Sequence, residues 1–348
     1  KSASRREILQ SLESGAIHIV IGTQSLLNEA IVFHQLGLTI VDEQHRFGVA
    51  QRAKLRAKGL QSKAHINPHF LAMTATPIPR SLALTLYGDL ELSIIDELPP
   101  GRVPIETLIL DQEPMSHVIT AIRQAKKRDE KCYVIYPLIE ESEKIDLSNA
   151  VEGFETFRKA LPDIAAGLLH GRMPATEKDA AIQAFKSGET HILVSTTVIE
   201  VGVDIPEATL MVIMNAERFG LSQLHQLRGR VGRSSLASQC LLVPGDNGSH
   251  GKAAQRMEVL TQTNDGFVIA TEDLSLRGPG DFLGTRQAGL PSFAFADPLR
   301  DVQILNDARQ WARLILKADP HLKHPRHQDL SSLMKNMNLE QLVLTEAG

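Results

Sequence analysis

Apolar positions along this chain fall into short runs and helical stripes in alternation, the rhythm of an α/β protein. Ile8, Leu9 and Leu12 share one helical face; Ser4 with Glu7 three residues on forms a capping box, and Gly15 supplies a stop. Ile17 to Ile21 is β-rich and ends in Gly22-Thr23-Gln24. Leu36 to Val41 reads as a buried strand that ends abruptly in Asp42-Glu43-Gln44-His45. Phe70-Leu71-Ala72-Met73 is a second such run, closed by Thr74-Ala75-Thr76-Pro77.

The pattern then returns. A second box-like cap, Thr176 to Asp179, opens a helix with Ala180, Ile182, Ala184 and Phe185; Gly188 stops it, and His191 to Val194 is a strand ending in Ser195-Thr196. The match stays in register at an offset of about 172 residues: Thr39-Ile40-Val41 with Met211-Val212-Ile213, Arg46-Phe47-Gly48 with Arg218-Phe219-Gly220, Gln51 with Gln223, Leu55-Arg56 with Leu227-Arg228. A tandem α/β duplication explains the shared offset better than chance. Asp42 and Glu43 fall opposite Met214 and Asn215, so only one copy carries the acids. In the second copy an earlier strand, Cys132 to Tyr136, precedes the Leu193 strand by about sixty residues. Its counterpart in the first copy falls upstream of Lys1, where a doubly wound nucleotide domain keeps its phosphate loop. No Gly-x-x-x-x-Gly-Lys-Ser/Thr occurs in the sequence. The expectation is therefore a first domain, 1–98, that lacks its amino-terminal part.

Pro99-Pro100-Gly101-Arg102 reads as a linker, residues 141–150 as a polar loop, and 99–250 as the second domain. Helices are expected over about 252–262 and 266–276, with Asp265 as a cap, and over 299–317 with Val302, Leu305, Trp311, Leu314 and Ile315 inward. Between them lies the glycine-rich stretch from Arg277 to Gln287, and 251–348 is taken as a third, helical region.

Composition narrows the chemistry. The 348 residues are 43% hydrophobic and 22% charged, ordinary for globular domains with real cores. A formal net charge of −4 means that any nucleic-acid site must be a local basic patch, and 4% aromatics argues against a surface of stacked bases. Cys132 and Cys240 have no metal spacing and fit a reducing compartment. There is no secretory signal and no apolar run near 20 residues, so no membrane span is expected.

Chemistry in an open parallel sheet sits at the carboxyl ends of its strands. There Asp42 can hold Mg²⁺ through water and Glu43 can polarise a water that attacks a γ-phosphate; the plain alternative is a strand running into a solvated acidic loop. Gln226-Leu227-Arg228-Gly229-Arg230-Val231-Gly232-Arg233 spaces its arginines with glycines, which lets two guanidinium groups approach one anion; alone, it is also a basic surface turn. Gln226 is placed to orient the same phosphate or the adenine side. Residues 195–204 end a strand and open a turn, so Thr196 and Thr197 suit a nucleic-acid phosphate while Gly202 and Asp204 face a nucleotide. Thr23, in the aligned position of the first copy, suits the next phosphate, and His170-Gly171-Arg172 is a further contact. Thr74 and Thr76 can bridge the acids to a ligand, although a threonine-rich turn before Pro77 and Pro79 needs no function.

Together these stretches resemble the superfamily 2 helicases: 42–45 the second motif, 74–76 the third, 195–204 the fifth and 226–233 the sixth. Asp-Glu-Gln-His-Arg-Phe-Gly-Val at 42–49 with Leu276 to Gln287 resembles the RecG family of bacterial branched-DNA translocases. The transcription-repair coupling factors share that module but typically carry Asp-Glu-Glu-His, and rank second. A non-catalytic duplex-binding module is the reading without enzymatic activity.

The resemblance implies two tandem RecA-like parallel-sheet domains with ATP and Mg²⁺ between them, followed by a helical hairpin and loop that link ATP turnover to movement on duplex DNA. It implies unwinding of forks and Holliday junctions in the bacterial cytoplasm, with a single-stranded DNA-binding protein as a partner. Asp42, Glu43, Gln44 and His45 would form the catalytic motif and Arg230 and Arg233 the finger residues. Arg277, Thr285, Arg286 and Gln287 would couple loop to motor. Without the phosphate loop the chain alone is expected to be impaired. In the family topology a strand pairs beside Phe70–Thr74, and its loss would leave an aggregation-prone edge.

Overall fold

The computed structural model describes residues 2–43, 51, 54–55, 57–59, 67–74, 91–137, 143–196, 205–245, 250–277 and 301–336. Contacts divide the chain into two compact units, Lys1–Ser93 with Leu283–Gly348, and Ile94–Phe282. The first unit opens with helix α1, Ser2–Ser14. The helix is already under way at Ser2, so Ser4 lies inside its first turn and is not the cap. Gly15 ends it at φ +83°, the left-handed region that glycine enters without a Cβ clash. Strands β1 (Leu38–Val41) and β2 (His69–Ala72) pair in parallel, Ile40 opposite Leu71.

The expected strand at Ile17–Ile21 does not form; Ile19 and Ile21 are 81% and 93% exposed. A strand exists only as a rung of a ladder. Its counterpart in the second unit lies between two neighbours, whereas no strand lies beside 17–21 among the described residues.

The second unit is built on β3 (Glu106–Ile109), β4 (Lys131–Ile135), β5 (Ala166–Leu169), β6 (Ile192–Ser195), β7 (Ala208–Met214) and β8 (Gln239–Val243). They form one parallel sheet in the order β3-β8-β7-β4-β6-β5. Its helices are α2 (Pro114–Lys127), α3 (Glu143–Ala160), α4 (Ala175–Ser187), α5 (Leu221–Arg228), α6 (Gly251–Gln262) and α7 (Gly266–Arg277). Pro174, with its fixed φ, opens α4, so Thr176 is inside the helix and caps nothing; Gly188 ends it at φ +84°. The polar stretch 143–150, expected as loop, is the first half of α3. Ala150 at the end of that half and Phe157 two turns on are both fully buried and anchor the helix.

Central strands are buried on both faces, which is why they read as unbroken Val/Ile/Leu runs. Tyr133, Ile135, Met211, Ile213 and Leu242 face Leu221, Leu224 and Leu227 of α5 and Met257, Leu260 and Ile269 of α6 and α7. Cys132, Val134, Leu210, Val212 and Leu241 face Val118 and Ile122 of α2, Phe157 of α3 and Leu161 just past its end. The sheet's unit therefore includes α6 and α7, on the far side of the boundary drawn at 250 from sequence, and 283–348 groups with 1–93. Asp265 caps α7 as expected, its Oδ1 accepting the Phe267 N–H at 2.8 Å.

The first unit ends in α8 (Val302–Ala318) and α9 (Gln328–Asn336). The apolar positions of α8 do not all turn inward: Trp311 is 66% exposed and Leu314 is also outward. Asp319 ties the turn between the helices, accepting from His327 Nδ1 and the N–H groups of His324 and Lys323; those bonds hold its carboxyl down to about 2. No helix among the described residues is long and apolar enough to cross a membrane.

Leu38, Ile40, Leu71 and Met73 share one exposed face of the β1–β2 pair. Such a bare sheet face drives association. The chain is expected to self-associate in light scattering, and the double substitution Leu38→Lys with Leu71→Lys to reduce it; an unchanged mass distribution would exclude this face.

Candidate active site

Strand β1 buries Thr39 and Val41 and then ends, so Asp42 and Glu43 emerge at its carboxyl end. Glu43 has φ +50°, unusual for a residue with a Cβ, and its N–H donates to Asp42 Oδ1 at 2.8 Å. Asn215, 172 positions on by simple subtraction, has φ +48° at the corresponding end of β7. The paired strands repeat as well: β1–β2 and β7–β8 are both parallel. The duplication thus reaches down to one backbone kink, with the carboxylates on one copy only.

Asp42 is exposed and commits one oxygen to its own turn, which leaves the other for a cation. Among the described residues no three His, Cys, Asp or Glu side chains group to hold a metal ion. One carboxylate that supplements water and phosphate oxygens fits Mg²⁺, which dehydrates reluctantly, better than ions needing an all-protein cage. Thr74 is exposed at the carboxyl end of β2, beside β1. Gln44, His45 and Thr76 lie outside the described residues.

Thr23 heads a 3₁₀ turn, Gln24–Leu27, its hydroxyl accepting the Ser25 N–H at 3.4 Å. A residue the sequence reading missed holds this loop. Lys58 is buried, and its Nζ donates to the carbonyls of Asn28 at 2.7 Å and Ile31 at 2.8 Å; desolvation lowers its pKa.

In the second unit His170 and Gly171 follow β5, and Thr196 follows β6. The Gly171 carbonyl accepts from Lys178 Nζ at 2.6 Å. Burial, then the charges of Lys178 and Arg172, lower the His170 pKa. Thr196 is only 1% exposed, and its hydroxyl is enclosed rather than presented to a phosphate; neither it nor His170 Nδ1 has a hydrogen-bond partner among the described residues. Thr197, Gly202 and Asp204 lie outside those residues, as do Thr285, Arg286 and Gln287; the backbone of Arg277 closes α7.

Helix α5 and the turn after it carry the arginine-rich stretch. Gln223 Oε1 accepts the Gly220 N–H at 3.0 Å and so caps the helix. Gln226, Arg230 and Arg233 are half-buried, with Arg233 Nε bonded back to the Gly229 carbonyl at 3.3 Å. Gly232 has φ +69°, and a Cβ there would stand 2.7 Å from Ile105 Cγ1. Its carbonyl accepts from Arg102 Nε at 3.0 Å. The glycine spacing is therefore a packing demand as well as an opening for an anion. Arg228, unlike its two neighbours, points inward and is 2% exposed. Burial, helped by Arg228, pushes the His225 imidazole down to about 4.

Three family models match the chain: DEAD/DEAH box helicase over residues 1–85, helicase conserved C-terminal domain over 113–235, and ATP-dependent DNA helicase RecG, domain 3, C-terminal, over 263–344. The ATP-dependent DNA helicase RecG of Synechocystis sp. is 54% identical over 327 residues, 93% of this chain and 38% of that protein. Its namesake from Escherichia coli O157:H7 is 48% identical over 92% of this chain and 46% of its own length. A structure of RecG bound to a three-way DNA junction superposes with a TM-score of 0.65 at 43% identity, covering 88% of this chain and 38% of the other. The helicase MrfA bound to DNA and AMPPNP, 18% identical with a TM-score of 0.54 over 77% of this chain and 41% of that one, shares the fold. The chain spans less than half the length of the curated relatives it matches. The α/β fold is that of two RecA-like helicase domains.

Two outcomes follow for stability. Gly232→Ala forces a Cβ into the left-handed region against Ile105 and should cost about 1–3 kcal/mol in thermal unfolding. His225 binds a proton near pH 4 when folded and near 6.5 when unfolded, so acid favours the unfolded chain. Its contribution is whole above about pH 6.5 and falls as pH drops toward 4. Urea midpoints across that window should fall with acid, and less steeply in His225→Gln.

Proposed function

The chain belongs to the RecG helicase family, and on that premise we propose that it is the motor portion of an ATP-dependent DNA helicase acting on branched duplexes, forks and Holliday junctions among them. The observation that carries the reading is the left-handed turn at Asp42–Glu43, present in both copies and acidic in one. Glu43, held by that turn, accepts a proton from the attacking water. Asp42 takes the outer shell of Mg²⁺, and the ion, when bound, neutralises charge on the phosphate oxygens. Arg230 and Arg233, on the turn after α5, supply positive charge to the γ-phosphate. Gln226 on the same helix orients the nucleotide. The matched family model over 263–344 supports RecG over the coupling factors. The same reading assigns Thr23, Thr74, His170 and Gly171 to the DNA track, with the bacterial cytoplasm as compartment and a single-stranded DNA-binding protein as partner.

The test is DNA-stimulated ATP hydrolysis on a model fork. This chain is compared with a chimera in which the amino-terminal part of the Synechocystis relative precedes it. The chimera should turn over ATP and this chain should not. In the chimera, Glu43→Gln should abolish turnover, and Arg230→Ala or Arg233→Ala should lower it by about 10³-fold or more. Turnover by this chain alone at the chimera's rate would remove the need for a phosphate loop; a chimera indifferent to DNA would defeat the motor reading.

A further inference from the structure

Gly232 stands between Arg230 and Arg233 with no side chain of its own to hold it, yet it is held by the segment that leads into β3. Pro99 to Arg102 form a tight turn: the Arg102 N–H donates to the Pro99 carbonyl at 3.3 Å, and Gly101 takes φ +83°. Proline and then glycine in the two middle positions is the pattern of a type II turn. From that turn Arg102 Nε donates to the Gly232 carbonyl at 3.0 Å in a half-buried bond. The acceptor is a backbone carbonyl and not a carboxylate, so the bond sets the path of the chain rather than a charge pairing. Three residues on, Ile105 fills the place that a Cβ on Gly232 would take, its Cγ1 2.7 Å from that position. From Glu106 the chain is a rung of the sheet: the Glu106 N–H donates to the Ser238 carbonyl at 3.0 Å, and β3 pairs with β8.

We infer that Arg102 is a positioning residue for ATP hydrolysis: its Nε–H, aimed by the Pro99–Arg102 turn, fixes the Gly232 peptide and so the path on which Arg230 and Arg233 approach one phosphate. The inference rests on the helicase reading and deepens it. On one side of Gly232 the chain comes from α5 through the buried Val231; on the other, Ser234 Oγ donates to the Pro206 carbonyl at 3.0 Å. Gly232 is the joint between those anchors, and a left-handed residue without a Cβ rotates its peptide at little steric cost. Ile105 against the Cα and Arg102 on the carbonyl remove that freedom from two directions. Ile105 sets only a distance. The N–H sets the orientation of the carbonyl, and with it the peptide that leads into Arg233. A loosened peptide lets the Arg233 guanidinium wander without changing how the nucleotide is first bound, so the cost falls on the transition state.

The experiment measures kcat and KM for ATP separately in the chimera described above, on one fork, and amide hydrogen exchange over residues 229–236 in the same variants of this chain. Arg102 is exposed, so its replacement disturbs no core. Glutamine decides the question, because its Nε2 stands where the arginine Nε does and donates without a charge. Arg102→Ala should lower kcat by roughly fivefold with KM within about twofold, and speed exchange over 229–236; Arg102→Gln should restore most of both. Gly101→Ala meets nothing within 4 Å but must hold φ +83°, and should lower kcat in the same direction with Arg102 intact. A parent chimera without DNA-stimulated turnover would sink the helicase reading, and the catalytic role of Arg102 with it. With a working parent, two results would overturn the role of Arg102 alone. One is an Arg102→Ala variant that keeps both kcat and exchange. The other is an Arg102→Gln variant that loses as much as Arg102→Ala, the mark of a charge acting on phosphate rather than of a tether on the turn.

Discussion

A parallel strand covered on both faces can show chemistry only where it stops. In the second unit β4 and β7 have no solvent face, so their side chains are consumed by the two cores. What the fold offers a ligand is the set of residues just past the strand ends, together with the turns that aim them. Asp42–Glu43 past β1, Thr74 past β2 and His170 past β5 all obey this constraint, while Thr196 past β6 is enclosed. The helices matter to function mainly through what they do to those ends, and α5 is the clearest case because its own last turn leads straight into Arg230 and Arg233.

The matching kinks at Glu43 and Asn215 separate geometry from chemistry. A left-handed residue with a Cβ costs roughly 1–2 kcal/mol, so its presence at the same register of both copies marks a backbone path that each sheet end requires. The path turns the chain away from the strand and lets Asp42 accept the Glu43 N–H. Asn tolerates that conformation more readily than Glu does. The first copy therefore keeps the less comfortable residue at the kink, in keeping with the role proposed for Glu43.

Much of this was legible along the chain because it is local. Strand runs such as Ile192–Ser195 and Leu210–Ile213 announce burial on both faces, and Gly15 and Gly188 announce helix ends. Local signals also misled. Ser4 and Thr176 look like caps but sit inside helices that begin earlier, one of them opened by Pro174. Ile17–Ile21 has strand composition without a neighbouring strand among the described residues, and 143–150 has loop composition but is carried into α3 by the buried Ala150 at its end and Phe157 beyond it. The outward Trp311 defeats any rule that places aromatic residues inside. Of the candidate site, the acids and the half-buried Arg230 and Arg233 were readable from spacing. Lys58, Arg228 and Asp273 were not, because each acts on a partner 27 to 51 residues away in sequence.

Arg228 also bears on why a charge is kept in a core that could have been apolar. Desolvation lowers its pKa, and no acid among the described residues offsets that penalty. Neutral carbonyls satisfy the guanidinium but return less than a carboxylate would, and an apolar residue of similar volume often leaves such a site as stable or more so. Stability alone is thus a poor reason for this arginine. What a hydrophobic residue cannot supply is direction: bonds at 2.8 and 2.9 Å to the carbonyls of Leu260 and Thr263 fix the rotation of α5 against the end of α6, not merely its distance. Ser222 Oγ, donating to Asp273 Oδ2 of α7, fixes the opposite end, so the rotation has no free pivot. The arrangement gives up some core stability for orientation.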